Sequence, residues 1–202
     1  MPATTEVLLT CLNRMADVIE GNKKYLTKLD SPIGDADHGV NMHRGFSAVR
    51  DKTSSMEGEE VGSILKTAGT ALVSSVGGAA GPLYGSASMQ AGSAVSVKEE
   101  LETEDIVKAL EAALEGVVQR GKASPGHKTM VDPLTAAVVT MENAVEEGAG
   151  TPKALDEAAQ AAKQAMKDTI PMLARKGRAS YVGERSIGHQ DPGATSTYCW
   201  SR

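Results

Sequence analysis

Three carboxylates fall within eight residues of the segment LDSPIGDADHGVNM, as Asp30, Asp35 and Asp37. Pro32 and Gly34 keep this stretch from continuing as regular helix, so the acids crowd one short loop. Crowded carboxylates repel one another unless a cation lies among them, and an all-oxygen set selects a hard ion, Mg²⁺ or Ca²⁺, over zinc. An EF-hand requires a Glu at the end of its loop, but counting from Asp30 or Asp35 puts Asn41 or Phe46 there, so that loop is excluded. Helix capping at the start of DHGVNMHRGF explains Asp35 and Asp37, taken alone, equally well. The third carboxylate, beside Gly34 and Gly39, tips the reading toward a metal. His38 is suited to a metal or to donating to phosphate, whereas His43 reads as polar surface.

Three further segments combine glycine with anion-binding chemistry: SSVGGAAGPLYG (74–85), RGKASPGHKTM (120–130) and GRASYVGERSIGHQDPG (177–193). The glycine run of the first lets backbone amides approach an anion ahead of a helix N-terminus, although close helix packing explains Gly78, Ala79, Ala80 and Gly81 as well. No Gly-Lys-Ser or Gly-Lys-Thr follows, which excludes a Walker A loop, and no GxGxxG suggests a dinucleotide fold. In the last segment Arg178 and Arg185 offer fork-shaped donors for phosphate beside His189 and the Asp191-Pro192-Gly193 turn; the alternative is a solvated loop capped by Asp191. GxSxG and HExxH are both absent. Positioned phosphates, metal ions and no protein nucleophile fit phosphoryl transfer, with no catalytic side chain expected. Two divalent ions on three carboxylates would leave residual positive charge for a polyphosphate.

The elements that must position these loops are helices. Val7, Leu8, Cys11, Leu12, Met15, Val18 and Ile19 form one helical stripe, predicting a first helix that ends near Leu29. The same period recurs in Val61 to Val73, Ile106 to Val118, Leu134 to Val145 and Leu155 to Ile170. Asp132-Pro133, Thr151-Pro152 and Asp191-Pro192 read as helix starts, and Gly121, Gly148 and Gly177 as stops. No alternating strand is evident. The expected fold is all-α: seven or eight helices joined by short loops in an antiparallel up-and-down bundle, one domain over residues 1–202.

Composition narrows the partners. A formal charge of −5 and 3% aromatic residues exclude a nucleic-acid surface, which needs clustered cations and stacking rings. Cys11 and Cys199 lie outside any zinc or redox spacing, as expected of reduced thiols. No apolar run reaches membrane-spanning length and no basic region precedes the N-terminal apolar residues, so a soluble, cytoplasmic protein without membrane contact is expected.

GDADHGVNMHRGF, SSVGGAAGPLYG, GKASPGHKTM and GRASYVGERSIGHQDPGATS, in this order and spanning nearly the whole chain, resemble the signatures of the nucleotide-binding L subunits of bacterial dihydroxyacetone kinases. The resemblance implies an eight-helix antiparallel barrel with the nucleotide site at one end. It implies Asp30, Asp35 and Asp37 as ligands of two Mg²⁺. It places His38, Gly39, Val40 and Asn41, with the backbone of Ala79 and Ala80, along the phosphates. Gly121, Met130 and Arg178 would border adenine and ribose, and Asp191, Pro192 and Gly193 would close the site.

No dihydroxyacetone-binding K domain accompanies the helices in this chain. It therefore resembles the phosphoenolpyruvate-dependent type, in which ADP stays bound as cofactor, takes phosphate from a phosphohistidine-bearing M subunit and passes it to dihydroxyacetone on a K subunit. Two other uses of such a site stay open: exchangeable ATP as substrate, or nucleotide sensing without turnover. The oligomeric state is likewise open between monomer and homodimer. Three positions depart from the family pattern. Ala80 stands where Ser is usual, His127 stands where an acid is usual, and Arg202 follows the last helix start closely, so a short final helix is expected.

Overall fold

A computed structural model describes residues 3–200, apart from the Trp200 side chain; the outermost residues of the expected 1–202 unit lie outside it. Eight α-helices follow in order: α1 (Thr5–Asp30), α2 (His38–Thr53), α3 (Val61–Ser75), α4 (Ala80–Ala94), α5 (Thr103–Gly121), α6 (Val131–Glu146), α7 (Thr151–Asp168) and α8 (Pro192–Trp200). Each helix packs on the next, and α8 packs on both α7 and α1, which closes the ring. The all-α up-and-down barrel is therefore the observed fold. Its core runs through Leu12, Ile19, Leu26, Met42, Phe46, Ile64, Leu72 and Val117, of which the helical period selects Leu12, Ile19, Ile64, Leu72 and Val117. Val7, Cys11 and Val73, members of the same sequence stripes, are exposed.

Short residues bring α3 and α4 close together. A Cβ on Gly62 would lie 2.6 Å from the Gly92 carbonyl, and one on Gly85 would lie 2.8 Å from that of Gly69. Backbone thus meets backbone along this pair, which leaves no room for a side chain.

Several boundaries differ from expectation. Helix α1 runs one residue further than expected, so Asp30 belongs to its last turn rather than to the following loop. Ala3–Thr4 pairs antiparallel with Glu100–Leu101. Two-residue strands are too short to show alternation, so no sequence pattern could reveal them. Helix α6 begins at Val131, before Asp132, whose carboxylate accepts from the amides of Thr129 (2.6 Å) and Gly126 (2.5 Å) in the preceding loop. Gly150, not Thr151, takes the N-cap position of α7. Gly177 does not stop a helix: α7 ends at Asp168, and Gly177, at φ 69°, precedes a 3₁₀ segment, Arg178–Ser186. The connector from 169 to 191 is accordingly long rather than short. Helix α8 is described over Pro192–Trp200, and the rest of the expected short final helix lies outside the described residues.

Up-and-down order sends alternate connections to opposite ends of the barrel. The α1–α2, α3–α4, α5–α6 and α7–α8 connections share one end, and these are the four glycine-bearing segments.

Candidate functional site

At that shared end lies a cleft of about 530 Å³ whose wall includes residues from all four connections. One side is the carboxylate cluster. Oxygen atoms of Asp30, Asp35 and Asp37 lie within 4.8 Å of one another, with Asp30 buried and the other two exposed. The local chain is shaped for this convergence. A Cβ on Gly34 would fall 1.9 Å from Asp30 Oδ1, so only glycine leaves the carboxylate its place. Ala36 sits at φ 60°, a left-handed conformation that a residue with a Cβ rarely adopts, and it reverses the chain between Asp35 and Asp37.

Capping by Asp37 does not account for the cluster. Asp37 stands at the N-cap of α2, yet its side chain makes no cap bond. Instead Asp30 Oδ2 accepts from the amides of Asp37 (3.0 Å) and His38 (3.2 Å). Desolvation and repulsion by Asp37 raise the Asp35 carboxyl above its ordinary range, against the pull of Arg178, whose guanidinium lies 2.8 Å away. Acids that repel one another around a common point, with all-oxygen donors, suit a hard divalent cation.

The N-terminus of α4 opens on the same cleft. Gly77, Gly78, Ala79 and Ala80 line it, and Gly78 takes φ 66°. The positive end of the helix dipole there favours an anion. With alanine at position 80 only the backbone can donate. Asn41 also lines the cleft, its Oδ1 held by Arg44 (2.8 Å), which in turn donates to the Ser75 carbonyl (2.7 Å).

His38 lines the cleft with its ring tied inward: Nε2 is 2.8 Å from Ser196 Oγ, which is 2.7 Å from the buried Tyr84 hydroxyl. Burial holds the His38 ring below the usual imidazole range despite Asp30 and Asp37, which favours the neutral form. Asp191 caps α8 by accepting from the Ala194 amide at 2.7 Å. Desolvation pushes its pKa up to about 7, offset in part by that bond and by Lys128. Leu83, Val117, Ala123, Met130 and Val131 give the cleft an apolar wall, with Gly121 against Leu83.

Of the expected site residues, His38, Asn41, Ala79, Ala80, Gly121, Met130, Arg178, Asp191, Pro192 and Gly193 line the cleft with the three aspartates. Gly39 and Val40 are not among the lining residues. Gly39 presses α2 against α1, since its Cβ would lie 2.0 Å from the Lys23 carbonyl, and Val40 is exposed. His127 does not line the cleft either; its Nδ1 accepts from the Ser124 amide at 3.2 Å. Sequence reasoning missed Lys128, Tyr84 and, Met130 apart, the apolar wall. Lys128 and Tyr84 lie within quoted segments, but a lysine and a tyrosine among loop residues give no sign of complete burial.

An all-α barrel whose cleft at one end gathers three carboxylates and the N-terminus of a helix is the class that fold and site define. The DAK2 domain is matched over residues 32–202, and the chain belongs to that family. It is 47% identical over 189 residues, 94% of this chain and 90% of the relative, to the PEP-dependent dihydroxyacetone kinase, ADP-binding subunit DhaL of Escherichia coli K12. It is 44% identical, over 94% and 89% of the two chains, to the corresponding subunit of dihydroxyacetone kinase 1 of Listeria innocua. The dihydroxyacetone kinase of C. freundii, solved with AMP-PNP and Mg²⁺, shares the fold at TM-score 0.79 and 20% identity; this chain covers 34% of it.

Proposed function

We propose that this chain is the ADP-binding subunit of a phosphoenolpyruvate-dependent dihydroxyacetone kinase, acting in the cytoplasm. In this reading ADP is retained as cofactor, a phosphohistidine on an M-type subunit is the phosphoryl donor, and dihydroxyacetone on a K-type subunit is the acceptor. The observation that carries it is the meeting, in one cleft, of three convergent carboxylates, a glycine-shaped helix N-terminus and an apolar wall, which match the metal, phosphate and base of a nucleotide. The functions of the relatives above support the same assignment.

Asp30, Asp35 and Asp37 would hold two Mg²⁺, which when bound neutralise polyphosphate charge and orient it for in-line transfer. The protein's own work is positional. The amides of Ala79 and Ala80 and the donors of Asn41 and Arg178 fix phosphate oxygens, while Leu83, Val117 and Met130 take the apolar face of the base. His38, its ring tied to the Ser196 hydroxyl, serves as a hydrogen-bonding group. The purified protein, denatured and analysed by mass spectrometry, should release ADP. Mixed with K- and M-type subunits and a phosphoenolpyruvate relay, it should convert dihydroxyacetone to its phosphate without added ATP. A dependence on added, exchanging ATP would replace the cofactor reading with a substrate one.

A further inference from the structure

Lys128 is unusual twice over. It is 0% exposed, and it adopts φ 61° although it carries a Cβ. Burying an ammonium and holding a side-chain-bearing residue in the left-handed region both oppose folding, so an arrangement that combines them must be held by specific contacts. Those contacts are three backbone carbonyls. Lys128 Nζ donates to Thr169 O at 2.6 Å and His189 O at 2.5 Å, with Ile170 O at 3.5 Å. Three donors on one ammonium meet three acceptors.

The carbonyls belong to the two feet of the 169–191 connector. The Gly188 amide donates to Ile170 O at 2.8 Å, and the Asp191 amide to Thr169 Oγ1 at 3.1 Å, so the connector leaves and re-enters the barrel at one point. Lys128 sits at that point, anchored in the α5–α6 loop. The body of the connector reaches back over the cleft: Lys176, Gly177, Arg178 and Ala179 line it. Ala174 and Ala179 pack on Ile33 of the carboxylate loop, and Arg178 reaches Asp35.

We propose that Lys128 is a positioning residue for the nucleotide site, its buried ammonium stapling the feet of the 169–191 loop so that Arg178 is held over the carboxylate cluster. A methionine of similar length would fill the space without a desolvated charge, but it would leave the carbonyls of Thr169 and His189 without their donor. Desolvation lowers the Lys128 pKa, and the carboxyl of Asp191 opposes that shift. The role rests on the nucleotide-binding reading, because its benefit is read through Arg178.

The test is a double-mutant cycle with Lys128→Met and Arg178→Ala, in which Mg²⁺-ADP affinity is measured by calorimetry and amide hydrogen exchange is followed without nucleotide. Lys128→Met should weaken ADP binding roughly tenfold in the wild-type background and less than about twofold when Arg178 is already alanine, the signature of one residue acting through another. Amides of 169–191 should exchange roughly tenfold faster while those of α3 and α4 keep their rates. Equal loss in both backgrounds, or unchanged loop exchange, overturns the proposal. Absence of ADP binding by the wild-type protein would instead overturn the nucleotide reading, and the exchange measurement would still decide the staple. Should Lys128→Met fail to fold, Ser186→Ala breaks a second clasp of the loop, the 2.9 Å bond from the Ala174 amide. It should weaken ADP binding about threefold, again only with Arg178 present; additivity there also overturns the proposal.

Discussion

The two ends of the barrel are built on opposite terms. At the far end polar groups are matched to one another: Ala3–Thr4 pairs with Glu100–Leu101, Thr103 and Thr151 hydroxyls meet at 2.6 Å, the Val61 amide donates to Lys98 O at 3.1 Å, and Glu102 and Asp105 form a capping box. At the cleft end like charges face one another, Ala36, Lys122 and Lys128 all take positive φ, and Asp191 and Lys128 are buried ionisable groups. All three non-glycine residues with positive φ among the described residues lie in the cleft-end loops. Backbone strain gathered at one end of an otherwise regular fold, beside converging carboxylates, marks the end where a ligand would supply what the protein lacks.

The largest test of that contrast is Asp30→Ala. It removes one carboxylate of the cluster and the acceptor for the Asp37 and His38 amides, so Mg²⁺-ADP affinity should fall at least about a hundredfold by calorimetry, beyond the usual loss from an outer-shell partner. Retained affinity would break the assignment of the cleft. The reverse substitution is Gly62→Val at the far end, which forces a side chain against the Gly92 carbonyl and should lower stability by about 2 kcal/mol in denaturant melts. Nucleotide affinity should stay within about twofold; a larger change would show that the two ends are not separable.

A third test concerns pH. Asp191 has an ordinary carboxyl pKa of 3.8, raised to about 7 by burial. The native state therefore keeps this proton where the unfolded chain has released it, and stability falls as pH rises from about 4 to about 7. The limiting slope is about 1.4 kcal/mol per pH unit. Asp191→Asn, which can still accept from the Ala194 amide, should flatten that part of the metal-free profile. An unchanged slope would mean that Asp191 titrates normally.

Much of the cleft was legible from sequence because its chemistry is local. Asp30, Asp35 and Asp37 lie close in the chain, and Gly34 marks the turn that frees them. The packing consequences were not legible. Gly39 gives no sign in sequence of the close α1–α2 contact that it permits, and Gly177 reads as a helix stop but opens a 3₁₀ segment. A glycine in sequence declares that a side chain is unwelcome, without saying which neighbour excludes it.

By itself the sequence determined the all-α class, the apolar stripes of most helices and the close spacing of the three aspartates, since each depends on residues within a turn or two of one another. Only the tertiary structure decided that four separated loops meet in one cleft, that Tyr84 joins His38 through Ser196, and that Lys128 lies wholly buried beneath a distant connector. Those depend on closure of the ring of helices, and burial is set by the neighbours that closure brings, whatever the residue's own chemistry.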